Sequence, residues 1–134
     1  VLQQQRWQAV ERFLENPKID IALPEPGLTE VIFKARARGN VTAPNDLVAT
    51  ISTNRIQIMP NQAPDYVRAA ELLEISQANP GPTPPGASRP STLSLGDSLI
   101  LAFAERMGSS VLSRDRYWGW LKGEGVLDLN IQTF

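Results

Sequence analysis

Apolar positions in this chain fall into short blocks whose spacing alternates between the helical and the extended period. Trp7, Val10 and Leu14 recur at three and four residues, with Ala9 and Phe13 beside them, which predicts a helix from Val1 to Asn16. Asn16-Pro17 stops it. Ile19, Ile21 and Leu23 alternate with Asp20 and Ala22, a short strand that ends at Pro24. Pro26 suits the first turn of a second helix, in which Leu28, Val31, Ile32 and Ala35 share one stripe before Gly39-Asn40 closes it. A shorter helix is expected from Pro44 to Ile51, and a strand from Arg55 to Met59 with Ile56 and Ile58 on one face. Pro64 opens another helix, carrying Tyr66, Ala69, Ala70 and Leu73.

The pattern then breaks. Residues 79–92 begin Asn79-Pro80-Gly81-Pro82-Thr83-Pro84-Pro85-Gly86, too rich in proline and glycine for regular structure, and predict an irregular loop. Such a loop can be a lid, a partner-binding element or a tolerated insertion. From Leu95 to Met107 the apolar residues Leu99, Ile100, Leu101, Ala102, Phe103 and Ala104 cover almost the whole circumference, as in a helix that is buried. Gly108 ends it. A strand from Ser110 to Ser113, a helix from Arg116 to Lys122 and a strand from Val126 to Ile131 complete the pattern. Helices alternating with short strands imply an α/β sandwich around a mostly parallel sheet in a single domain. Ligands of such sheets bind beyond the carboxyl ends of the strands, here after Leu23, Met59 and Leu112.

Composition narrows the chemistry. The 134 residues contain no cysteine and no histidine, which removes disulfides, thiolate or imidazole metal sites and His-based triads. A formal net charge of −1 gives no overall basic field for nucleic acid. No stretch approaches a membrane span and the Gln-rich start lacks a signal-peptide core, so a cytoplasmic protein with no membrane association is expected.

Carboxylates remain. Glu30 sits in the first turns of the second helix, Asp97 in the first turn of the apolar helix, and Asp115 two residues beyond a strand. Converging at one sheet edge they would repel, each pair at ~4 Å costing on the order of 4 kcal/mol at an effective dielectric of ~20. A divalent cation would neutralise them, and all-oxygen ligands suit Mg²⁺ or Mn²⁺. Each acid also has a plainer use. Ser94-Leu95-Gly96-Asp97 matches a capping box. Asp115 can cap the following helix, and Glu30 can pair with Lys34 one turn on.

Residues 93–108, Leu93-Ser94-Leu95-Gly96-Asp97-Ser98-Leu99 onward to Met107-Gly108, closely resemble the segment around the third acid of the PIN-domain family. Val111-Leu112-Ser113-Arg114-Asp115-Arg116-Tyr117-Trp118 is similar to that family's "VLTxDxxW" strand and turn, and Leu28-Thr29-Glu30-Val31 to its "LxEV" helix start. The nearest subtype is the VapC-type toxin. The resemblance implies a three-layer α/β/α sandwich and endonucleolytic cleavage of RNA with Mg²⁺ or Mn²⁺. It also implies a homodimer and inhibition by a cognate VapB-type antitoxin whose tail enters the cleft. Carried over, Asp97 and Asp115 would bind metal, Glu30 would complete the shell or position water, and Ser113 would be an accessory hydroxyl.

The family's opening strand, "hhhDxSALL", has no counterpart before Trp7, so the expectation is that the natural chain starts upstream of Val1. The alternative is a catalytically degenerate binding or assembly module; a DNA nuclease is a third reading. Arg36, Arg38, Arg114 and Arg116 are candidate RNA contacts, with Lys34 beside them, although a solvated helix face accounts for Lys34, Arg36 and Arg38 nearly as well. Tyr117, Trp118 and Trp120 either stack bases or pack at the core edge or a dimer contact.

Overall fold

The computed structural model describes residues 2–53 and 55–133. The chain divides into two compact units, residues 1–60 and 61–133. The first holds α1 (Leu2–Glu15), β1 (Ile21–Pro24), α2 (Glu25–Ala37), α3 (Pro44–Thr53) and β2 (Ile56–Met59). β1 and β2 pair in parallel, with Ile21 opposite Ile56 and Leu23 opposite Ile58. α2 follows β1 with no intervening loop, because Pro24 and Pro26 supply the φ that a helix start needs without demanding an N–H partner.

The second unit holds α4 (Ala63–Ala78), α5 (Leu95–Met107), β3 (Val111–Ser113), α6 (Arg116–Gly123) and β4 (Ile131–Thr133). β3 and β4 are also parallel, Val111 opposite Ile131 and Ser113 opposite Thr133. α5 has the bounds its apolar pattern predicts and is buried along most of its length; Leu101 is fully enclosed. It packs on α4 through Ala69 and Leu72, and Leu121 of α6 closes the same core. Tyr66 falls on the solvent side of α4 instead, 56% exposed. Gly108 ends α5 at φ 62°, and the Ser109 N–H reaches back to the Ala104 carbonyl at 3.0 Å, a closure that favours a residue without Cβ.

One element departs from expectation. The strand predicted over Val126–Ile131 pairs only from Ile131 onward. Leu127 and Leu129 are both buried, so the alternation that suggests a strand is real. The backbone of this stretch is satisfied by other groups. The Val126 N–H donates to the Leu121 carbonyl, Arg68 donates to the Val126 carbonyl at 3.0 Å, and the Asp128 N–H donates to Glu105. Side chains from α4 and α5 thus take two of its backbone groups, and only at its end does the Asn130 carbonyl accept the Val111 N–H of β3 at 2.9 Å. The class is therefore mixed α/β with parallel strand pairs and flanking helices. No described helix is long and apolar enough to cross a membrane.

Candidate functional site

In the first unit, Glu30 sits half-exposed on α2, paired with Lys34 one turn later at 2.5 Å. Arg36 is exposed and donates from Nη1 to the Thr42 carbonyl at 2.9 Å, tying the end of α2 to the loop that follows. Arg38 is exposed at the C-cap of the same helix.

In the second unit, Asp97 is half-exposed at the third position of α5, where both halves of the capping box form. The Asp97 N–H donates to Ser94 Oγ at 3.1 Å, and the Ser94 N–H donates to Asp97 Oδ2 at 3.3 Å. Asp115 is exposed and caps α6, its Oδ1 accepting from the Tyr117 N–H at 2.9 Å. Ser113 is buried at the end of β3, where its Oγ accepts the Asp115 N–H at 3.0 Å. That hydroxyl sets the chain direction into the cap. Arg114 and Arg116 flank Asp115 and face solvent.

The aromatic trio divides. Tyr117 and Trp118 are buried at 4% and 6% exposure and Trp120 is partly buried, stacked on Tyr117 at 5.7 Å between centroids. Their place is the core edge, the reading that does not require nucleic acid.

Sequence reasoning missed the most enclosed ion pair. Asp65 is 1% exposed at the first turn of α4, and Arg106 of α5 reaches it through Nε at 2.6 Å and Nη2 at 3.1 Å. Burial pushes the Asp65 carboxyl up, yet the Arg106 hydrogen bonds and charge, the Gln62 N–H and the Asn61 amide together hold it below its ordinary value. The Arg106 guanidinium also lies over the Phe103 ring at 5.3 Å. A second pair joins Arg68 to Glu105 at 2.9 Å. The only local hint of the first pair was Pro64-Asp65 at a helix start; Arg106 lies 41 residues away.

The donor set is all oxygen and chemically suits Mg²⁺ or Mn²⁺. Among the described residues, however, no group of three or more acidic side chains is placed to hold a metal ion. The acids bind backbone N–H groups and cations of the chain itself.

Residues 2–119 match the family model for the PIN domain. The chain belongs to the PIN-domain family. The PIN match takes in Glu30, Asp97 and Asp115 alike. Two solved structures share the fold. VapBC2 from Rickettsia felis, bound to a DNA fragment from its promoter, is 16% identical with a TM-score of 0.60, over 95% of this chain and 83% of that one. FitAB bound to the IR36 DNA fragment is 17% identical with a TM-score of 0.57, over 96% of this chain and 82% of that one. No curated protein matches the sequence.

Proposed function

We propose that this PIN-domain chain works as a binding and assembly module whose partner is a small protein of the antitoxin kind. In this reading residues 1–134 form one domain, working in the cytoplasm beside that partner. The supporting observation is the employment of the acids. Glu30 pairs with Lys34, Asp97 completes a capping box and Asp115 caps α6. A cap is worth ~1 kcal/mol and engages Oδ2 of Asp97 and Oδ1 of Asp115. The fold shared with VapBC2 and FitAB supports a partner of this type.

A second reading is favoured by one feature. Asp97 and Asp115 both stand at helix N-termini with some solvent access, and Asp115 adjoins the Ser113 hydroxyl. On this reading the chain is a homodimeric ribonuclease toxin using Mg²⁺ or Mn²⁺. Glu30, Asp97 and Asp115 are then its acids, Arg36, Arg38, Arg114 and Arg116 its RNA contacts, and a VapB-type antitoxin its inhibitor.

The discriminating experiment co-expresses the chain with the product of its neighbouring reading frame and separately incubates the chain with RNA and Mg²⁺. The module reading expects a complex that survives Asp97→Asn and Asp115→Asn, and intact RNA. Cleavage by the wild type that Asp97→Asn abolishes would overturn it in favour of the toxin.

A further inference from the structure

The proline-rich loop has a built neck. Its first and last turns are joined by the Gly81 N–H donating to the Ser91 carbonyl at 2.9 Å, while residues 82–90 are exposed. Beneath the neck lies Tyr117. Its hydroxyl is 2.8 Å from the Asn79 carbonyl and 3.0 Å from Ser76 Oγ, and Ser76 Oγ accepts the Leu93 N–H at 2.8 Å. A phenol has one proton to donate, and the carbonyl can only accept. The direction of the chain follows: Leu93 N–H to Ser76 Oγ, Ser76 O–H to Tyr117 Oη, Tyr117 O–H to the Asn79 carbonyl. Both strands of the neck thus hang on one buried pair of hydroxyls, and Ser76 and Tyr117 are nearly inaccessible to water.

The fit of the ring is close. A Cβ on Gly81 would meet Tyr117 Cδ2 at 2.8 Å and Cε2 at 3.1 Å, so the loop backbone runs close against the Cδ2–Cε2 side of the ring. Only glycine permits that approach.

The two ends of this residue serve different carboxylates. Leu93, which it holds through Ser76, is followed at once by Ser94, the cap that shares its hydrogen bonds with Asp97. The backbone N–H of Tyr117 binds Asp115 Oδ1. We propose that Tyr117 is a positioning residue: by clasping the neck of the proline-rich loop it fixes the start of α5 with Asp97, while its own backbone holds Asp115. The placement stands apart from either functional reading; its consequence for turnover rests on the ribonuclease reading.

Tyr117→Phe removes the hydroxyl and keeps both the ring stacked on Trp120 and the N–H on Asp115. Amide hydrogen exchange in the whole chain reads the result. The N–H groups of Gly81, Leu93 and Asp97 are expected to exchange roughly tenfold faster in the variant, with Leu72 in the α4 core within about twofold of wild type. Gly81→Ala, which drives the ring from the neck, is expected to give the same pattern. Faster exchange at Gly81 and Leu93 with Asp97 unchanged would overturn the proposal, as would no change at any of the three. On RNA with Mg²⁺, Tyr117→Phe is expected to lower kcat and leave KM unchanged, a split that simple loss of folded protein mimics but the exchange data separate. A wild-type chain that leaves RNA intact sinks the ribonuclease reading alone, and the exchange pattern then decides the placement.

Discussion

Asp65 illustrates what a single buried charge demands of its neighbours. Fully enclosed by α4 and α5, it is tolerable as a carboxylate only because Arg106, Gln62 and Asn61 all donate to it. Its folded-state value is depressed, so its contribution to stability is present above the unfolded carboxylate value of about 3.9 and is lost as pH falls through the lower folded value. Urea midpoints measured across that acidic window should therefore decline below about pH 4. Arg106→Met should lower the midpoint at neutral pH and flatten this acid limb. By contrast Lys34→Met, which removes an exposed pair on α2, should cost no more than about 0.5 kcal/mol in the same titration. The two pairs differ in legibility for the same physical reason. Glu30 and Lys34 are one helical turn apart, so sequence spacing alone implies their contact. Asp65 and Arg106 meet only because α4 packs on α5, and no spacing rule reaches across 41 residues.

At the scale of elements, α5 was the most legible part of the chain. Its all-round apolar surface required burial, Ser94 and Asp97 marked its start, and Gly108 marked its end. Ser94→Ala should cost about 1 kcal/mol in thermal or chemical unfolding, because the Asp97 N–H then loses its acceptor. The stretch after Gly125 misled for an equally specific reason. Alternating burial of Leu127 and Leu129 looks like a strand, but whether backbone groups find a strand or a side chain depends on Arg68 and Glu105, residues set by tertiary packing. Removing Arg68 leaves the Val126 carbonyl without this donor, so Arg68→Met should loosen residues 126–130 in hydrogen exchange before it affects β3. The neck of the proline-rich loop was equally hidden. Composition said loop; only the enclosed hydroxyls of Ser76 and Tyr117 say that it is fastened.

For the molecule as a whole, family and class follow from pattern and motif, whereas the work of the acids follows from geometry. Glu30, Asp97 and Asp115 lie within residues 2–119, the stretch that matches the PIN-domain family, and the same three side chains are engaged in a surface pair and two helix caps. Sequence offered both uses of each acid with no means of choosing, since a capping box and a ligand at a helix start share one residue pattern. The core beneath Asp97 is conventional: Leu101→Ala, deleting a fully enclosed side chain, should cost ~3 kcal/mol whatever the acids do. The acids themselves give the most direct test, because structural and clustered carboxylates respond oppositely to neutralisation. Thermal unfolding of the wild type, Asp97→Ala and Asp115→Ala, which remove the capping oxygens, should be followed with and without millimolar Mn²⁺. If the carboxylates serve as caps, both variants melt a few degrees lower than wild type and Mn²⁺ shifts none of the three. Variants that melt higher than wild type, together with a wild-type midpoint raised by Mn²⁺, would mean that the acids repel one another around a cation, and the binding-module account would be contradicted.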